Sequence, residues 1–203
     1  SFLEEPTQDT LDLWEQVMDL SRQEREAGGV LDMAKIGENK DLLLGVFVLA
    51  FIGFGAKAAV FPMHAWLPVV SVAPTPVTAL LHAVAVVKSG AFAIIRIIYY
   101  SFGADFLHGS WAQMIVVILS GFTIAYGSVM AVREQHFKRR LAYSTVSNLS
   151  YILLGAALMT PAGLTGALTH MLYHGVMKIT LFFCVGAILV KTEQEYVQDL
   201  RGY

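Results

Sequence analysis

Eight ionisable side chains stand inside long apolar runs of this chain: Lys57, His64, His82, Lys88, Arg96, His170, His174 and Lys178, with no carboxylate among them. Three are spaced for shared chemistry. His170, His174 and Lys178 follow one another at i, i+4 and i+8, so on a helix they line one face in steps of about 6 Å. A desolvated ammonium gives up its proton more readily than one in water, and imidazole exchanges protons near neutral pH. Lysine and histidine on one face therefore suit a proton path. Three readings compete with it. Buried cations also attract anions, although a neutral histidine adds little to that attraction. His170 and His174 have a metal-ligand spacing, but the next position is a lysine and no Asp, Glu or Cys shares the face, so no metal is expected. A purely structural role, with histidines bonding between packed helices, is the third.

Each lysine near mid-bilayer costs about 2.5 to 3.5 kcal/mol unless it faces a hydrated interior. Lys88 and Lys178 lie about 17 Å or more from the ends of their runs, too far for a lysine stem to reach the interface. Lys57 is nearer a run's end and beside a predicted break, so snorkelling competes more strongly there. His82 and Lys88, six apart, sit about 120° around their helix and flank a groove. Arg96, close to Tyr100, reads as an interfacial residue, and His64, beside Trp66, as a structural one.

The elements that carry these residues follow from hydropathy. The chain has 203 residues, 56% apolar and 15% charged. Residues 1–41 hold eleven Asp/Glu against four Lys/Arg, a solvated acidic segment in which residues 6–26 have the spacing of an amphipathic helix. Beyond it, apolar runs extend over 42–72, 77–100, 111–132, 141–159 and 164–190, close to the twenty or so residues needed to cross about 30 Å of hydrocarbon. Pro62 and Pro68 predict that the first run breaks part way, whereas the second, from Val77 to Tyr100, reads as uninterrupted. The fold class is all-α, a polytopic transmembrane bundle of about five helices. It divides into the acidic segment 1–41, the membrane domain 42–190 and a tail 191–203. These numbers exclude a soluble enzyme, a DNA-binding domain and a secreted disulfide scaffold; Cys184 is the only cysteine. No signal peptide is expected at the acidic start, and the chain reads as a piece of something longer.

The connection Arg133 to Arg140 holds four basic residues, and the loop from Ser101 to Ser110 holds one Asp and no Lys or Arg. The positive-inside rule puts the basic connection in the cytoplasm, the acidic segment outside and the tail inside. On the fourth run Ser144, Thr145, Ser147 and Asn148 form a polar stripe that would line a cytoplasmic mouth to the path.

The stretch from Lys57 to Pro68 (KAAVFPMHAWLP), that from Ala73 to Ala83 (APTPVTALLHA), Val87-Lys88-Ser89-Gly90, the stretch from Lys138 to Ser147 (KRRLAYSTVS), and His170, His174 and Lys178 occur together in one order. On these motifs the chain, from about Leu42 onward, resembles the antiporter-like membrane subunits shared by respiratory complex I (NADH:quinone oxidoreductase), Mrp-type cation/proton antiporters and membrane-bound hydrogenases. The resemblance implies the central part of a long subunit built from inverted five-helix repeats, each with a broken helix. It implies translocation of protons, or of protons with sodium, along Lys57, His82, Lys88, His170, His174 and Lys178. The implied setting is a bacterial or archaeal inner membrane, and the implied partners are the missing helices of the same subunit, other membrane subunits and lipids, with no nucleic acid. It implies no catalytic site and no cofactor in this chain, because the redox chemistry resides in partner subunits. The glutamate that pairs with the lysine matching Lys57 in that family lies outside these residues.

Overall fold

The run from Leu42 to Lys57 is rich in leucine, valine and phenylalanine and forms the apolar part of helix α1 (Met33–Lys57). In the computed structural model, which describes residues 33–83 and 85–200 together with Gln8, Leu11, Asp12, Glu15, Met18, Asp19, Arg22 and Gln23, this helix stops at Lys57. Ala59 adopts the left-handed conformation (φ 56°), Val60 N–H donates to Gly55 O at 2.9 Å and Ala59 N–H to Ala56 O at 3.3 Å. These are the paired bonds of a Schellman stop. Pro62 then forbids resumption, and the run continues only at α2 (Trp66–Val70). Trp66 Nε1 donates to Ala56 O at 2.8 Å, satisfying a carbonyl at the cut end, and Phe61 N–H donates to Thr123 Oγ1 at 3.2 Å. The break near Pro62 is therefore held by specific bonds.

The next span is broken as well, which corrects the expectation of an uninterrupted helix from Val77. It forms α3 (Thr75–Ala83) and α4 (Val86–Arg96), followed by a π-helical turn, Ile97–Phe102. Between α3 and α4, Ala85 N–H donates to Leu80 O, five residues back, at 3.1 Å. A bond of that span widens the helix and steps its axis without any proline or glycine. A short helix, α5 (Ala104–Leu107), leads to α6 (Trp111–Arg133), capped by Ser110, whose hydroxyl accepts from Gln113 N–H at 3.2 Å. Then come α7 (Phe137–Ala157) and α8 (Pro161–Thr192), the latter opening with Pro161 behind a Thr160 cap.

Among the described residues the structure is helical, with no strand. Three of the spans are long and apolar enough to cross a membrane on their own: Thr75–Phe102, Trp111–Arg133 and Pro161–Thr192. The other two of the five rods fall short for visible reasons. The apolar part of α1 is cut at Lys57, and α7 begins with Lys138, Arg139 and Arg140 and carries the polar stripe. Helix α7 tolerates that polarity because it is the packing centre. It runs between α6 and α8 and against α2 and α4, burying Thr145, Ser147 and Ser150 with Val146, Leu149, Ile152 and Leu153. The outer faces are apolar instead: Leu172, Val176 and Val190 are exposed, as suits an integral membrane bundle.

At one end of the bundle the α6–α7 connection pairs with the chain after α8. Phe137 N–H donates to Glu195 O and Val197 N–H to Gln135 O, both at 3.0 Å, and His136 Nε2 stands 3.5 Å from Glu195 Oε2. Lys138 of the basic connection is buried, its ammonium donating to Ala73 O at 2.9 Å. Most of the amphipathic helix expected over 6–26 lies outside the described residues. Those described are helical; Met18 enters the apolar core, and Arg22 reaches Asp19 at 3.5 Å and Asp105 at 3.9 Å.

Candidate functional site

The i, i+4, i+8 ladder of α8 is turned inward. His174 is fully buried and Lys178 nearly so, while His170 is half-buried. The rings of His170 and His174 stack 6.0 Å apart at an interplanar angle of 12°. His170 Nε2 pairs with Asn148 Oδ1 of α7 at 3.1 Å, and Asn148 Nδ2 donates to Ser144 O at 2.8 Å. At the other end Lys178 Nζ donates to Leu141 O at 3.0 Å, a carbonyl that Thr145 Oγ1 also uses at 3.0 Å. Antiparallel packing of α7 and α8 thus gives each end of the ladder a partner on α7.

The step between α3 and α4 brings the second set of groups to the same place. Helix α3 packs along α8, with His82 stacked on Phe182 of α8 at 4.9 Å. Lys88 lies against α8 one turn beyond the step: a Cβ built on Gly175 would run into Lys88 Nζ and would stand 3.3 Å from Ala83 O. His82 and Lys88 do not merely flank a groove on their own helix. Together with His170, His174 and Lys178 they form one electrostatic cluster, since Lys178, Lys88, His170 and His82 all act on His174.

In this cluster His82 and His174 are fully buried, and neither ring nitrogen of either residue has a hydrogen-bond partner among the described residues. A buried polar atom left unpaired costs about 1 to 3 kcal/mol, so four such nitrogens on two neighbouring helices are costly if dry. Stacking on Phe182 and on His170 covers ring faces and leaves the nitrogens unserved. Water is the molecule of the right size and polarity to serve them.

The remaining candidates separate. Lys57, the last residue of α1, has an exposed side chain, and no hydrogen bond or ion pair joins it to the cluster. Its Cβ and the backbone of Ala58 crowd Gly90 of α4, two residues beyond Lys88, where an added Cβ would come within 2.8 Å of Lys57 Cβ. The stripe on α7 also divides. Ser144 and Asn148 serve α8 and Thr145 shares its acceptor with Lys178. Ser147 turns to α6, pairing with Ser128 Oγ at 2.9 Å and donating to Ile124 O at 3.4 Å, away from the ladder. His64 is buried between Phe61 and Tyr126, 5.5 and 4.7 Å between ring centres, a packing role. Arg96 is exposed with its guanidinium 5.1 Å from the Tyr100 ring centre. Among the described residues no three His, Cys, Asp or Glu side chains converge to hold a metal ion. Sequence reasoning missed Phe182, Gly175 and the Leu141 carbonyl, none of which carries a titratable side chain to draw attention.

The comparisons with known proteins bear on the family and the fold. The family described as "NADH:quinone oxidoreductase/Mrp antiporter, TM" matches residues 24–203. NADH-quinone oxidoreductase subunit L of Mycobacterium tuberculosis is 36% identical over 165 residues, 81% of this chain and 25% of that protein. Among solved structures, a chain of the Mrp complex of a Dietzia species superposes with a TM-score of 0.69 at 28% identity, covering 90% of this chain and 34% of the other. A chain of respiratory complex I from Thermus thermophilus with bound NADH gives 0.71 at 25% identity, covering 96% and 41%. The chain belongs to the antiporter-like membrane subunits of the NADH:quinone oxidoreductase and Mrp family, and it spans about a quarter of the length of the curated relative just described.

Proposed function

We propose, proceeding from that membership, that this chain is the central section of a proton-translocating membrane subunit, in which water links His82, Lys88, His170, His174 and Lys178 into a path for protons, with Lys57 feeding it from the first break. The observation that carries the reading is the pair of fully buried, partnerless imidazoles beside two lysines. Steps of about 6 Å along α8 are roughly twice a hydrogen-bond length, so side chains alone do not pass a proton. Hydration supplies the links. Asn148 and Ser144 line the approach to His170, and the Leu141 carbonyl, which also accepts from Thr145, holds Lys178. The partners are the remaining helices of the subunit, other membrane subunits and lipid, and the ion is the proton, alone or with sodium.

Two variants in the complete complex test the path. His174→Ala leaves room for water and is expected to retain part of the transport, whereas His174→Leu fills that room with an apolar group and is expected to stop it while the complex still assembles. A leucine variant that assembles and transports like the parent makes the ladder structural. The orientation belongs to the same proposal: α6 and α7 meet in the cytoplasm and α1 begins outside. In a Cys184→Ser background, Gln135→Cys and Lys40→Cys should label from opposite faces of sealed vesicles; labelling from the same face contradicts it.

A further inference from the structure

Gly175 follows His174 on α8, on the flank of the titratable face, and it is buried. Helix-packing contact with α4 does not by itself account for it, because what fills the space of its missing side chain is the ammonium of Lys88. The backbone of α8 at this position thereby becomes one wall of the Lys88 site, with Ala83 O, at the end of α3, on its edge. We infer that Gly175 is a positioning residue that seats the Lys88 ammonium against α8 beside His174, so that a methyl group at position 175 unseats it.

The consequence of displacement follows from the surroundings. Lys88 and Gly175 also border an apolar groove between α4 and α8, lined by Phe92, Met171, Leu172 and Val176. An ammonium displaced from Gly175 has apolar side chains on its groove side and no acceptor named there, so it loses its seat beside His174 and changes the gap that water must bridge. The fold accommodates the change, because the atom that must shift farthest is the far end of a flexible side chain, whereas Ala83 O, 3.3 Å from the added Cβ, needs to give by only a few tenths of an ångström. Alanine is also the better helix former. Gly175→Ala is thus expected to separate function from folding, which a purely structural glycine does not do.

This inference rests on Lys88 taking part in the proposed path, and the experiment keeps the two apart. Three variants of the complete complex are compared: Gly175→Ala, Lys88→Ala, and Gly166→Ala as a control on the same helix, where an added Cβ meets nothing within 4 Å. Assembly, thermal stability, proton transport and the pH at which transport is half-maximal are measured. The titratable groups that feel the charge of Lys88 are His170 and His174 of α8, and His82 of α3 and Lys178 of α8 act on His174 in turn. Gly175→Ala should assemble with unchanged or higher stability, lose about tenfold in transport, as small misplacements of reacting groups do, and shift the half-maximal pH, while Gly166→Ala matches the parent. Parental transport and pH profile in Gly175→Ala, beside a loss in Lys88→Ala, overturn the positioning role alone. Parental transport in Lys88→Ala overturns the role of Lys88 with it. Loss of transport matched by loss of assembled complex makes Gly175 structural.

Discussion

Two spans of this bundle are broken, and they are broken by different means. At the end of α1 the interruption is written in breakers and stops: a left-handed Ala59, Pro62, and an indole that satisfies a carbonyl at the cut end. Between α3 and α4 there is neither proline nor glycine, only a backbone bond from Ala85 to Leu80 that skips an extra residue. The outcomes differ in kind. The first break leaves Lys57 exposed on the flank of the described bundle, and the second turns His82 and Lys88 onto α8. A rigid, capped break suits a group presented to a neighbour, while a local widening suits groups fitted against a helix already in place.

The largest expected effect on this contrast is at Lys57. If the first break delivers a proton and not merely a fixed charge, arginine cannot replace lysine, because it does not release its proton at physiological pH. Lys57→Arg should lower transport about as far as Lys57→Ala, to about a tenth of the parent or less; full transport by the arginine variant shows that charge alone suffices. Next is the bond that caps the first break. Trp66→Phe removes the donor to Ala56 O and should destabilise the subunit by about 1 kcal/mol, read as a lower unfolding temperature of the purified complex. An unchanged temperature shows that Pro62 and the Schellman bonds hold the break unaided. The smallest effect has the opposite sign. Ala59→Gly relieves a left-handed alanine and should stabilise by about 0.5 to 1 kcal/mol with transport unaltered. Destabilisation there would mean that the conformation is not under strain.

The difference between the breaks also explains what the sequence discloses. Pro62 and Pro68 announce the first interruption, and the i, i+4, i+8 spacing places His170, His174 and Lys178 on one face, of which His174 and Lys178 are buried and His170 half-buried. The second interruption is invisible, since the residues around Ala85 are ordinary helix formers and the step depends on what packs against them. The 120° between His82 and Lys88 on an ideal helix therefore misleads: the step brings both to α8. The polar stripe of α7 is legible as a stripe but not as two faces, because Ser147 and Asn148 are adjacent and only the neighbours of α7 decide that one serves α6 and the other α8. Lys138 reads as one charge in a basic connection, yet it is buried on the Ala73 carbonyl. A backbone acceptor leaves no mark in sequence.

Proton passage along this face requires water at His82 and His174, so the most direct measurement is the density around these rings in a high-resolution structure of the complete complex. Ordered water within about 2.7 to 3.2 Å of at least one nitrogen of each ring, continuous toward Lys88 and Lys178, is the expected result. Both rings enclosed by apolar atoms or bonded only to side chains from the remaining helices, with no water between them and the lysines, would contradict it.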